Sequence, residues 1–201
     1  MRSILKLSMA VLLLLASNLI FLQTAEAQAE KKRINFKVER MIEANATDIW
    51  KVVAEDFGAI SKSHPLVVHS EYTAGSLTGE LGTERLCYFK EDSSQMLREK
   101  IVVWRPEQME FDVAIKETKK FPVDTDATQF TIRVKSLSTN SSKIEMIMNY
   151  RTKPAFMGGM MKGNFTKRLE DYLMAVDHHV TTGEEVTVDN FKDIKKSYAS
   201  K

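Results

Sequence analysis

A long helical segment near the end of the chain follows a series of strand-like segments. In residues 154–180, PAFMGGMMKGNFTKRLEDYLMAVDHHV, apolar side chains recur at helical spacing and form one face. At about 1.5 Å per residue this segment would reach roughly 40 Å, enough to cross a small domain. A single long helix after antiparallel strands usually packs across the concave face of the sheet. The order therefore predicts an α+β fold that can enclose a cavity between helix and sheet.

The segments before this helix have the two-residue period of β-strands. Residues 34–39 alternate between apolar and polar side chains, which predicts a half-buried first strand. Asn45 can cap a short helix that carries Trp50, and residues 59–63 can form a second one. Turn signals about every ten residues separate the later segments at 66–72, 83–89, 95–104, 109–116, 124–135 and 144–152. The prediction is a helix-grip fold: a seven-stranded antiparallel sheet wrapped around the C-terminal helix, with two short helices between strands 1 and 2.

Residues 1–27 have the pattern of a signal peptide. Positive residues precede an apolar run from Met9 to Leu22, and Ala25 and Ala27 place small side chains before a cleavage site. The run of about 14 residues is shorter than the roughly 20 that span a bilayer, so we expect no stable membrane anchor. The prediction is a protein exported to the periplasm or secreted, with a helix-grip domain at 34–183 and a flexible polar tail at 184–201.

The composition narrows the classes of partner. The chain carries 29 Lys and Arg and 27 Asp and Glu, a net charge of +2, which argues against nucleic acid as a partner. Cys87 is the only cysteine, so it forms no intramolecular disulfide, and we interpret it as a small buried hydrophobe. No nucleophile elbow, phosphate-binding glycine loop or zinc-ligand spacing is present. We therefore predict no cofactor and no metal site, and the sequence does not predict the oligomeric state.

Several spaced motifs resemble one known family. The segment ANATDIWKVVAEDFGAISKSHPLV, residues 44–67, is similar to the opening of the polyketide cyclase/dehydrase-like branch of the SRPBCC superfamily, which includes START domains and pollen allergens. Residues 80–85, ELGTER, resemble the start of that family's glycine-then-arginine strand, and residues 97–102 its glutamate-bearing strand. Lys153-Pro154 fits its proline before the final helix. The resemblance covers roughly residues 34–182 and implies a binding fold for hydrophobic small molecules.

Glu99 is the candidate catalytic residue. Strand alternation places it on the same face as Leu97 and Ile101, so we expect it to point inward. A carboxylate in an apolar cavity would have a raised pKa and could act as a general acid or orient a ligand. Arg85 also points inward by alternation and could bind an anionic head group. The alternatives are a structural ion pair between these two residues, or a shifted register that turns Glu99 toward water.

The remaining predicted site residues lie near the start of the long helix. Three glycines there predict open space beneath it, and flexible Met side chains could adapt to a ligand. We predict a ligand pocket made of Arg85, Glu99, Phe111, Tyr150, Met157, Met161 and Phe165. His64 and His69 flank the short helical turn and could join a site at its mouth, but we interpret them as solvated loop residues.

Three functional hypotheses follow. The first is an exported protein that binds a lipid, sterol, polyketide or aromatic metabolite between the sheet and the C-terminal helix. The second is a cyclase- or dehydratase-type enzyme acting on a similar ligand, with Glu99 as the acid or base. The third is a structural or interaction domain whose core is filled.

Overall fold

Seven strands form one antiparallel sheet in the computed structural model, which describes residues 33–73, 75 and 77–199. The strands are β1 (Ile34–Ile42), β2 (His69–Tyr72), β3 (Glu84–Tyr88), β4 (Met96–Arg105), β5 (Glu110–Lys119), β6 (Gln129–Ser138) and β7 (Ser141–Tyr150). Their order across the sheet is β1-β7-β6-β5-β4-β3-β2, so the first and last strands in sequence are neighbours. The sheet predicted from the alternating pattern is confirmed, while the predicted signal peptide at 1–27 lies outside the described residues.

Short helical segments connect β1 to β2, as predicted. Asn45 caps α1 (Ala46–Trp50), because its side chain accepts a hydrogen bond from the backbone N–H of Asp48 at 2.8 Å. One π-helical turn, Lys51–Glu55, continues the chain, and a 3-10 helix, Phe57–Lys62, follows. These segments bury their apolar side chains against the sheet and close one end of the core.

The long helix α2 (Gly158–Thr182) crosses the sheet and is buried mainly in its second half. Tyr172, Leu173 and Val176 belong to the hydrophobic core, whereas most residues of the first half are exposed. The helix begins four residues later than the pattern suggested, because Ala155–Met157 forms a 3-10 turn. It ends at Gly183, whose φ of 76° is a left-handed conformation that favours glycine. The helix-grip fold predicted from the sequence is confirmed.

The C-terminal residues do not form the flexible tail predicted from their polar composition. A second helix, α3 (Phe191–Ala199), packs on α2 through a small hydrophobic cluster made of Ala175, Val186, Phe191 and Ile194. The backbone N–H of Val186 donates to the carbonyl of Lys62 at 2.8 Å, which joins this segment to the 3-10 helix. The prediction of a tail was wrong because a few apolar residues at helical spacing are enough to dock a short, otherwise polar helix.

Candidate functional site

A cavity of about 140 Å³ lies between the concave face of the sheet, the 3-10 helix and the middle of α2. Most of its wall is apolar and comes from the sheet and α2, including Phe89, Leu97, Phe121, Phe130, Met148 and Leu169. The polar groups of the wall come from His64, Arg85, Glu99, Thr128, Arg168 and Tyr172. An apolar space with a few convergent polar groups is the usual composition of a small-molecule site.

Arg85 and Glu99 form a buried ion pair in the cavity wall. They lie directly opposite each other on β3 and β4, and both side chains are more than nine-tenths buried. Nε and Nη2 of Arg85 each lie 2.7 Å from Oε2 of Glu99, and Nη1 donates to the carbonyl of Phe57 at 2.7 Å. The guanidinium also stacks over the Phe57 ring, 3.8 Å from its centroid. Burial opposes the charge of Arg85, but the attraction of Glu99 outweighs it and raises the pKa of the guanidinium.

This pairing is the structural alternative that the sequence left open for Glu99. The side chain points inward as predicted, yet its nearest partner is a fixed cation rather than a ligand. Its contacts with Arg85 and Cys87 all use Oε2. Cys87, the next inward residue on β3, places its Sγ 3.8 Å from Oε2, and burial raises the pKa of this thiol, so it remains protonated.

His64 lies in the cavity wall instead of in solvent, where the sequence interpretation had placed it. Its Nδ1 accepts hydrogen bonds from the backbone N–H groups of Leu66 at 3.0 Å and Val67 at 3.2 Å. Burial lowers the pKa of His64 to about 3, and the charges of Arg85 and Arg168 act in the same direction. The ring is therefore neutral at physiological pH.

Tyr172 is another polar wall residue that the site prediction omitted, as it did Thr128 and Arg168. It comes from the buried face of α2 and is only 3% exposed, and its ring contacts that of His64 in a tilted arrangement, with centroids 5.0 Å apart and an interplanar angle of 32°. Burial raises the pKa of its phenol to about 12, while Arg85 opposes this shift. The sequence signal that could have identified Tyr172 is its helical spacing from Phe165 and Leu169. This spacing places the three residues on one face of α2, and all three line the cavity.

The structure brings only some of the predicted site residues together. Arg85, Glu99 and Phe165 line the cavity, but Phe111, Tyr150, Met157 and Met161 do not. Phe111 is fully buried beside Trp50 and Trp104, in the core below α1.

The residues around the start of α2 have other environments. The hydroxyl of Tyr150 donates to the carbonyl of Gly158 at 2.6 Å and anchors the helix. Met157 and Met161 are half-buried outside the cavity wall, and a Cβ at Gly159 or Gly163 would meet nothing within 4 Å. Gly159 and Gly163 therefore face open space, whereas Gly158 packs against Ile34, and the cavity lies closer to the middle of the helix than predicted.

The described part of the chain contains no group of three or more His, Cys, Asp or Glu residues placed to hold a metal ion. None of its helices is long and apolar enough to cross a membrane.

Comparison with known proteins gives a family match and several structural matches. A family model described as polyketide cyclase / dehydrase and lipid transport matches residues 33–175. No curated protein sequence matches the chain significantly.

The solved structures similar to this chain share its fold at low sequence identity. Ara h 8.0201 is 18% identical, with a TM-score of 0.61 over 75% of this chain and 99% of that one. Norcoclaurine synthase from Thalictrum flavum, solved in complex with dopamine and hydroxybenzaldehyde, is 19% identical, with a TM-score of 0.57 over 74% of this chain and 87% of that one. A protein from Thermobifida fusca is 18% identical, with a TM-score of 0.60 over 77% of this chain and 97% of that one.

Proposed function

Because this chain belongs to the polyketide cyclase / dehydrase and lipid transport family, we propose that it is an exported protein that binds a hydrophobic small molecule. The observation that carries the proposal is the apolar cavity between the sheet and α2. A cavity of similar volume, engineered in another protein and lined by Leu, Ile and Phe, binds benzene. A lipid, sterol, polyketide or aromatic metabolite would place one ring or a short chain segment in this space.

The state of Glu99 favours binding over acid–base catalysis by this residue. A general acid or base must exchange a proton with the ligand, whereas Glu99 is held by two guanidinium nitrogens of Arg85 at 2.7 Å. The apolar cavity argues against the third hypothesis, a filled core, since protein interiors contain few voids larger than a water molecule.

Binding can be tested by enlarging one side chain of the cavity wall. Leu97 lines the cavity from β4, and Leu97→Trp would occupy much of the space, with a cost in stability of about 1–3 kcal/mol if neighbours must shift. We expect saturation-transfer NMR to detect ethylbenzene and naphthalene bound to the native protein and not to Leu97→Trp.

Gly163→Leu is the matched control, because it also adds bulk but at a position where a Cβ meets nothing within 4 Å. This variant should bind the same ligands as the native protein. Circular dichroism establishes that each variant is folded. If the native protein binds neither compound, and native mass spectrometry finds no co-purified ligand, the binding function is rejected.

A further inference from the structure

The hydrogen bonds at His64 fix which of its ring nitrogens carries the proton. Nδ1 accepts from the N–H groups of Leu66 and Val67, so it cannot itself be protonated. The proton of the neutral ring is therefore on Nε2, which makes this atom a hydrogen-bond donor. Nε2 has no hydrogen bond to another described residue, and the ring lines the cavity.

Tyr172 provides a second donor next to it. The residue is 97% buried, its phenol is neutral, and its hydroxyl makes no hydrogen bond to any described residue. Because the residue lines the cavity, its hydroxyl can donate to a ligand atom placed there. The rings of Tyr172 and His64 contact each other in the cavity wall, so the two donors are neighbours.

The two buried charged groups near these donors, Arg85 and Glu99, are paired with each other. Arg85 is engaged by Glu99 and by the carbonyl of Phe57, so this end of the cavity has no net charge from the pair. A ligand carboxylate would meet the Glu99 carboxylate there, while the guanidinium of Arg85 is already engaged. Arg168 is the other cation of the wall, and it is exposed on α2.

We propose that the buried end of the cavity selects an uncharged hydrogen-bond acceptor, a carbonyl oxygen attached to a ring or chain, which accepts from Nε2–H of His64 and the hydroxyl of Tyr172. This inference rests on the proposed binding function and specifies the chemical class of its ligand. The apolar wall holds the hydrocarbon part of the ligand, and the two donors orient its polar end.

Three small probes of similar shape test this assignment: ethylbenzene, acetophenone and benzoate. We expect acetophenone to bind the native protein about tenfold more tightly than ethylbenzene in calorimetry, and benzoate to bind most weakly. The infrared C=O stretch of bound acetophenone should lie at lower frequency than in an apolar solvent, because hydrogen bonds to the oxygen weaken the bond.

Two substitutions identify the donors. Tyr172→Phe keeps the ring and removes only the hydroxyl, so it should reduce acetophenone affinity by about tenfold, leave ethylbenzene affinity unchanged and raise the C=O frequency. His64→Asn retains an acceptor for the N–H groups of Leu66 and Val67 but removes Nε2–H, and it should shift the frequency in the same direction.

The outcomes separate this inference from the binding function. If ethylbenzene and acetophenone bind equally, or Tyr172→Phe changes neither the affinity nor the frequency, the cavity binds hydrocarbons and the carbonyl assignment is overturned. Tighter binding of benzoate would assign an anionic ligand and would also overturn it. If none of the three probes binds, the proposed function itself fails.

Discussion

Glu99 and Arg85 both point inward by strand alternation and form an ion pair with each other. A buried ion pair adds little net stability, but removing one partner leaves an uncompensated charge in the interior. We therefore expect Glu99→Gln to lower the free energy of unfolding by about 3–5 kcal/mol, measured by urea denaturation with tryptophan fluorescence.

The double variant Arg85→Met/Glu99→Leu is the control for this prediction. It removes both charges and fills the site with apolar groups, so it should recover most of the stability that Glu99→Gln loses. A Glu99→Gln midpoint equal to that of the native protein would mean that the pair is hydrated and not buried as the structure shows.

His64 gives a prediction about acid pH. The unfolded chain binds a proton at this residue below pH 6.5, whereas the folded protein does so only near pH 3, since burial lowers the pKa of the ring. Between these values the unfolded state carries the extra proton, so the stability falls as the pH decreases, by at most about 1.4 kcal/mol per pH unit.

Comparison of the native protein with His64→Asn isolates the contribution of His64 to the pH dependence of stability. The carboxylates titrate in both proteins, so the difference between their free energies of unfolding reports mainly on His64. We expect the native protein to lose its advantage over His64→Asn progressively between pH 6.5 and 4 in urea denaturation. A difference that stays constant over this range would contradict the neutral, buried ring.

At the scale of elements, the two halves of α2 have different environments. The second half is buried in the core, while Phe156 and Met160 at the start of the helix region are 78% and 81% exposed. The cavity lies where the sheet wall and the middle of α2 face each other, next to Phe165 and Leu169. The position of the cavity therefore depends on how the helix crosses the sheet and not on where its glycines are.

The C-terminal helix α3 should contribute measurably to stability. Ile194 is 7% exposed in the small cluster between α2 and α3, so Ile194→Ala should lower the free energy of unfolding by about 2–4 kcal/mol. Val188→Ala is the control, because Val188 is 46% exposed and its change should stay within about 0.5 kcal/mol. Equal midpoints for the two variants in urea would indicate that residues 184–199 do not dock on the domain.

At the scale of the whole molecule, the remaining prediction concerns export. Small residues at Ala25 and Ala27 after an apolar run predict cleavage after Ala27, so the exported chain should begin at Gln28. Intact-mass and N-terminal sequence analysis of protein from the periplasm or the culture medium would identify the first residue of the exported chain. An exported chain that still begins with Met1 would reject a cleaved signal peptide.

Local sequence patterns determined much of the architecture and part of the site. The two-residue period defined the strands and turned Arg85 and Glu99 to the same face, and the helical period placed Phe165 and Tyr172 on one side of α2. These features follow from backbone geometry alone, because a strand or helix fixes the face on which each side chain lies. The start of α1 at the Asn45 cap and the end of α2 at Gly183 also depend only on residues close in sequence.

Only the tertiary structure decided which groups meet. The register of β3 against β4 set Glu99 opposite Arg85, and the loop after the 3-10 helix turned His64 into the cavity wall beside Tyr172. Docking of residues 184–199 likewise depended on the surface that α2 and the 3-10 helix present. The physical reason is that local periodicity specifies the direction of a side chain, whereas its partner, its burial and hence its charge state depend on contacts between residues far apart in the chain.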